Sequence, residues 1–186
     1  MILHLVRHGQ STWNLERRLQ GQQMDVPLTE LGREQAAQAG ERLAASDAGI
    51  VWSSDQRRAV ETAELIAERL RIPLRTTPLL REQALGELEG KSYDELRPEP
   101  VPAGLDISEV RWGGGESVAD VHARLSAFVD ELANLVDEEV VVVSHGDTLR
   151  ILLAVLDGRS HREVDWFEFG NGVVVSRAAN LCARED

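Results

Sequence analysis

The sequence predicts an α/β fold, a three-layer α/β/α sandwich around a mostly parallel central sheet. Three observations lead there. Short apolar runs that read as strands alternate with segments whose apolar residues recur at helical spacing. Val140 to Val143 is an uninterrupted apolar run, as expected of a central parallel strand covered on both faces. The 186 residues contain no internal repeat, low-complexity tract or linker, which predicts one domain, 1–186, with its own core.

Taken in order, Ile2 to Val6 reads as a short buried strand. From Thr29 to about Ala45, Leu31, Ala36, Ala39 and Leu43 mark the apolar face of a helix, with Thr29 at its N-cap. Gly49 to Trp52 reads as a second strand, and Gln56 to Leu70 as a helix with Ala59, Ala63, Ile66 and Leu70 on one face, ended by Pro73. Asp55 is placed as its N-cap. Between about Thr77 and Gly115 lie four of the six prolines and little periodicity, so this stretch reads as loop. Ser117 and Asp120 form a weak capping box ahead of the stripe Val121, Leu125, Phe128, Val129 and Leu132. After the Val run, Leu149, Leu152, Leu153 and Leu156 form a helix ending at Gly158; Ser160 and Glu163 suggest a further short helix, and Gly172 to Val175 a last strand.

Composition narrows the function classes. With 20 Lys+Arg against 32 Asp+Glu the net charge is −12, which argues against general nucleic-acid binding because a phosphate backbone would be repelled. No apolar stretch approaches the ~18 residues needed to span a bilayer, and the N-terminal apolar run is too short for a secretory leader. The single cysteine, Cys182, forms no intrachain disulfide, and no CxxC or paired Cys/His spacing points to structural zinc. A soluble, cytoplasmic protein with no nucleic-acid or membrane partner is expected.

The chemistry lies in a pairing. The first strand runs into Arg7-His8-Gly9 and the Val run into Ser144-His145-Gly146. In open α/β sheets ligands bind beyond the carboxyl ends of the strands, so two parallel strands would deliver both histidines to one crevice. Around the first of them the charge reverses: residues 1–21 hold Arg7, Arg17 and Arg18 against Glu16 alone, a local +2. Arg57 and Arg58 sit at a strand-to-helix junction, where free N–H groups and arginine's planar fork suit a compact phosphoryl anion. For Arg57 a solvated pairing with a nearby glutamate is the simpler reading.

Leu5-Val6-Arg7-His8-Gly9-Gln10-Ser11-Thr12-Trp13-Asn14 resembles the signature of the histidine phosphatase superfamily, which includes the cofactor-dependent phosphoglycerate mutases. Leu28-Thr29-Glu30-Leu31-Gly32, Ser53-Ser54-Asp55 through Arg58-Ala59 and Thr62-Ala63, Leu80-Arg81-Glu82 with Gly86, Glu89 and Gly90, Gly114-Gly115-Glu116-Ser117, and Val143-Ser144-His145-Gly146 follow in the family's order. The resemblance implies a phosphoglycerate mutase-like fold over nearly the whole chain. It implies that His8 is the nucleophile taking the phosphoryl group, and that Glu82 is the proton donor to the leaving group. Arg7, Arg58 and His145 would surround the phosphate oxygens, with Gly9, Asn14 and Gly146 beside them. Gln20 and Gly21 would touch the substrate beyond the phosphate. No metal and no cofactor is implied.

The chemistry accepts these roles on its own terms. Covalent catalysis splits the displacement in two, and a neutral imidazole attacks phosphorus without a metal. Charge on the equatorial oxygens needs fixed positive donors. Flanking arginines would disfavour protonation of His8 and keep its attacking nitrogen available. His4, His122 and His161 read as structural or surface residues, and Trp52, Trp112 and Trp166 as core or lid packing.

The same core supports transfer to water or between hydroxyls of one substrate. The mutases carry an inserted basic segment after the acid loop and a C-terminal extension. Here only about 30 residues separate Glu82 from Gly114-Gly115-Glu116-Ser117, their bases being Lys91, Arg97 and Arg111, and the chain stops soon after its last strand. With Gln10 where mutase signatures commonly place glutamate, the expectation is an acid-phosphatase-type phosphoric monoester hydrolase acting on a small phosphorylated metabolite. A phosphoglycerate mutase is the alternative, and a silent phospho-ligand binder a third reading. Pro98, Pro100, Pro102 and Gly104 mark the loop expected to set specificity, and an exposed edge strand could support a homodimer.

Overall fold

The computed structural model describes residues 1–97, 99–135 and 138–180. Its centre is a five-stranded sheet of β1 (Ile2–Arg7), β2 (Ile50–Ser54), β3 (Leu74–Thr77), β4 (Glu139–Ser144) and β5 (Val174–Ala178), in the order β3-β2-β4-β1-β5. β4 is paired in parallel with β1 and β2, β2 in parallel with β3, and only β5 runs antiparallel, on β1. The expected mixed fold with a mostly parallel sheet is therefore what the chain adopts. β4 sits in the middle, which is why its valines run without a polar interruption: Val140 and Val142 face one helical layer, Val141 and Val143 the other, all fully buried.

One layer holds α2 (Glu30–Leu43) and α3 (Arg57–Leu70), whose Ala39, Leu43, Ala59, Ala63 and Ile66 pack on Val6, Val51, Val141 and Val143. The small alanines let these helices lie close to the sheet. The other holds α4 (Val118–Leu132) and α5 (Gly146–Leu156), with Val121, Leu125, Phe128, Leu149 and Leu152 against Leu3, Leu5, Val140 and Val142. Thr29 caps α2 by accepting from Gly32 N at 3.0 Å, and the Ser117–Asp120 capping box is formed in full. A single turn, α1 (Thr12–Leu15), follows β1 and was not legible in the sequence.

Several local expectations are corrected. Leu31 points outward, 48% exposed, because Gly32 rather than Leu31 meets the β1 loop. Asp55 is no N-cap: it pairs with Arg81, Nε to Oδ1 at 2.7 Å, while Gln56 takes the cap position without a side-chain cap bond. Ser160 N and Oγ both donate to Glu163 Oε2, yet the two residues close a turn and no helix. Between Pro73 and the expected loop lies β3, whose Leu-Arg-Thr-Thr sequence has a single apolar residue, with Arg75 and Thr76 both exposed. The last strand starts at Val174, beyond the Gly172 turn, and not at Gly172 itself. Trp52 packs edge-on against Phe128, whereas Trp166 is 58% exposed. His4 is held between Ser176 and Glu139, and His122 and His161 contact Arg159 O and Ser108 Oγ, as structural residues do. Cys182 and Pro98 lie outside the described residues. Among the described residues, no helix is long and apolar enough to cross a membrane.

Candidate active site

The parallel pairing of β1 with β4 puts Arg7 opposite Ser144, so the next residue on each strand is a histidine. His8 N donates to Ser144 O at 2.9 Å, and the His8 and His145 rings stand 5.1 Å apart between centroids, inclined at 61°. Both are buried. The two histidines read from distant stretches of sequence do meet in one crevice.

His8 Nδ1 lies 2.7 Å from Gly9 O. A carbonyl can only accept, so Nδ1 carries the hydrogen and Nε2 keeps its lone pair. Burial first, then the charges of Arg58 and Arg7, hold His8 well below the ordinary histidine range. Its imidazole is neutral at physiological pH. The loop after it is fixed by close packing: a Cβ on Gly9 would stand 2.1 Å from Gly32 O, and Gly9 N donates to Thr62 Oγ1 at 3.1 Å.

Arg58 enters from the first turn of α3, fully buried, donating to Gln23 O and Gly21 O at 2.9 Å each. Burial lowers it to about 10, which leaves it charged at neutral pH. Arg7 bonds Phe169 O through Nη1. Beyond those bonds a pattern emerges. Among the described residues six buried side-chain nitrogens have no hydrogen-bond partner, and four are here: Arg7 Nε, Arg58 Nε, and both ring nitrogens of His145. His145 occupies the N-cap position of α5 but makes no cap bond. Burial, then Arg58 and His8, depress its protonation. Each unpaired buried polar group costs ~1–3 kcal/mol, and with His145 neutral three of the four nitrogens are N–H donors, so the cluster marks a place left for a ligand rich in acceptors.

Glu82 stands near enough for its charge to act on both Arg7 and Arg58. Its Oε1 lies 2.9 Å from Thr148 Oγ1 and accepts from Thr148 N at 3.2 Å and Gln83 N at 3.0 Å. The carboxylate thus supplies, from outside, the cap that His145 does not make, at the positive end of α5. Its main chain is tied as well, Glu82 N to Gln56 Oε1 at 2.8 Å and Glu82 O to Gln22 and Arg124.

The remaining expected residues fall around this centre with different tasks. Asn14 Oδ1 accepts from Ser11 N and Asn171 Nδ2. Gln20 Oε1 lies 2.8 Å from Ser11 Oγ. Gly21 presents its carbonyl to Arg58 and Gln56, at φ +45, where a Cβ would meet the Glu89 carboxylate. Arg57 pairs with Glu61 on the surface, Nε to Oε1 at 2.6 Å. A Cβ on Gly146 would lie 3.5 Å from the Arg7 guanidinium carbon. Sequence reasoning missed Gln56, Thr62, Thr148 and Asn171. All four are buried or half-buried polar residues tying separate loops together, and their sequence spacing carries no signal of that.

Comparison with known proteins bears directly on this geometry. A model of the histidine phosphatase superfamily (branch 1) matches residues 3–178. The chain belongs to the histidine phosphatase superfamily. Phosphoglycerate mutase-like protein 4 of Arabidopsis thaliana is 38% identical over 160 residues, 80% of this chain and 67% of that one. A mycobacterial glucosyl-3-phosphoglycerate phosphatase superposes with a TM-score of 0.82 at 33% identity, covering 94% of this chain and 90% of its own. A putative alpha-ribazole-5'-P phosphatase from Escherichia coli gives 0.83 at 27% identity, over 95% and 89%. As a histidine phosphatase superfamily enzyme, the protein has both phosphatases and mutase-like proteins among its relatives, and its donor-lined crevice is common ground for either reaction. Among the described residues, no three His, Cys, Asp or Glu side chains gather in a metal-binding cluster.

Proposed function

We propose that the protein is a metal-independent phosphatase of small phosphate monoesters, working through a phosphohistidine on His8. The observation that carries this reading is the set of four partnerless nitrogens on Arg7, Arg58 and His145 beside a neutral His8. These donors suit the equatorial oxygens of a transferring phosphoryl group, where fixed dipoles and charges act without reorganising.

In the first step the His8 Nε2 lone pair forms the N–P bond while the P–O bond to the leaving alcohol breaks. Glu82 gives its proton to that alcohol oxygen. Oε1 is occupied by Thr148 and Gln83, so Oε2 is the atom that carries the proton. In the second step the Glu82 carboxylate takes a proton from water, whose oxygen attacks phosphorus as the N–P bond breaks. Phosphate leaves, and His8 and the protonated Glu82 are restored. The similarity to phosphatase structures favours water as acceptor, whereas the mutase-like relatives carry the other reading.

A panel of small monoesters assayed for phosphate release with chelator present tests the proposal. Release that persists in chelator supports it. A strict requirement for a divalent cation, or phosphoglycerate isomerisation outrunning hydrolysis, contradicts it.

A further inference from the structure

The rim of the crevice carries a device that the phosphatase reading does not use. Arg150, one turn into α5, lies beside Arg7: a Cβ on Gly146 would stand 3.4 Å from Arg150 Nη1 and 3.5 Å from Arg7 Cζ. A guanidinium there would suit a second anionic group on the substrate, a carboxylate above all. Two of its three nitrogens are already engaged, and its charge already faces a carboxylate. Arg150 Nη1 donates to Asp147 Oδ1 at 2.5 Å, Nε bonds Phe167 O, and the group lies over the Phe167 ring, 5.9 Å from its centroid.

The neighbouring cations are neutralised too. Arg17 faces Asp94 at 3.7 Å and Arg18 faces Glu16 at 2.9 Å. Along residues 82–100 six acids stand against Lys91 and Arg97. Half-exposed Tyr93 adds an uncharged hydroxyl, kept protonated by burial and by the charge of Asp147.

We infer that Asp147, by occupying Arg150, restricts the leaving alcohol to uncharged or positively charged groups and excludes carboxylate-bearing or doubly phosphorylated substrates. The inference rests on the phosphatase reading and names the substrate class of the same site. It sets this chain apart from any relative whose substrate is a phosphoglycerate. A carboxylate brought to this rim would meet Asp147 and Glu82 where Arg150, Arg17 and Arg18 each already face a carboxylate, and like charges placed together cost affinity.

Asp147 also gives the discrimination a pH dependence. Burial, then the charge of Glu82, pushes it up to about 6, against the opposing pull of Arg150 and Arg7. The groups facing it are Glu82 from the acid loop, Arg7 from β1, Arg150 from its own helix and Tyr93, whose hydroxyl feels its charge. Below about pH 6 the carboxyl is neutral and Arg150 is released.

The test compares glycerol 3-phosphate with 3-phosphoglycerate, which differ by a CH2OH in place of a carboxylate, as competitive inhibitors or substrates against p-nitrophenyl phosphate hydrolysis. At pH 7.5 the enzyme should favour glycerol 3-phosphate by about tenfold or more. Asp147→Asn should reduce that ratio about tenfold, and lowering the wild-type enzyme to pH 5.5 should narrow it in the same direction without any substitution. Equal affinity for the two ligands at pH 7.5, or a ratio unmoved by both Asp147→Asn and pH, overturns the inference while leaving the phosphatase reading standing. Failure to hydrolyse any phosphate ester overturns both.

Discussion

At the ends of β1 and β4, Arg7, Arg58 and His145 keep four buried nitrogens without a partner, whereas across the crevice Glu82 Oε1 alone is surrounded by three donor groups. The two sides answer different demands. On the proposed function the phosphate side exchanges its bonds with a ligand at every turnover, and its groups are held by bonds to their other atoms: Arg58 by two carbonyls, Arg7 by Phe169 O, His8 by Gly9 O. The acid side must keep one oxygen aimed and the other fixed, so the fixed one is saturated. Unsatisfied polarity on one side and saturated polarity on the other together read as a site for transfer of an anionic group.

That contrast can be broken at either end. The largest change is expected for Glu82→Gln, which keeps the shape and removes the proton: hydrolysis of alkyl phosphates should fall ~10²–10⁴-fold. With p-nitrophenyl phosphate, whose leaving group needs no proton, the loss should be far smaller; equal losses on both esters would remove Glu82 from the acid role. Arg58→Met, on the phosphate side, should cost ~10²–10³-fold on every ester alike, because its charge meets phosphate oxygens and never the alcohol. A loss that varies with the leaving group would contradict that placement.

Thr148→Val sharpens the comparison more gently. It removes one donor from Oε1 but keeps the main-chain bond, so about a tenfold loss in kcat on alkyl esters is expected, with Thr148→Ser near wild type. A change in KM alone would argue that Thr148 contacts substrate and does not position Glu82.

The smallest effect is on stability. His8 and His145 are depressed in the folded protein, so between their folded values and the ordinary ~6.5 the unfolded chain binds more protons. Stability present above about pH 6.5 is therefore lost as pH falls, by about 1 kcal/mol per pH unit for each histidine. Asp147, raised to about 6, works in the opposite sense as it takes up its proton. Urea unfolding from pH 7.5 to 5.5 should show a steeper decline in the wild type than in His8→Asn/His145→Asn. Parallel slopes would mean that the histidines are not held neutral.

Much of this was legible before any coordinates. The Val140–Val143 run located the central strand because burial on both faces leaves no room for polar residues, and the paired His-Gly ends followed from strand direction alone. Of the arginines that made the local +2 around His8, Arg7 reaches the crevice, whereas Arg17 and Arg18 pair with Asp94 and Glu16. Most of the misses share a cause: Asp55, Gln56 and Thr148 act through partners 26 to 66 residues away, whose approach is set by tertiary packing, as when Glu82 completes the cap of α5. β3 was missed because this four-residue edge strand carries a single apolar residue and neither an apolar run nor an alternation.

The central claim is that His8 Nε2 takes the phosphoryl group. Rapid acid-free quenching of the enzyme with a labelled monoester, followed by peptide mapping, tests it most directly. The account predicts an acid-labile, base-stable phosphate on the peptide containing His8, absent from His8→Ala, whose turnover should fall ~10³-fold or more. A His8→Ala enzyme with undiminished hydrolysis, or a trapped phosphate on any other residue, would contradict it.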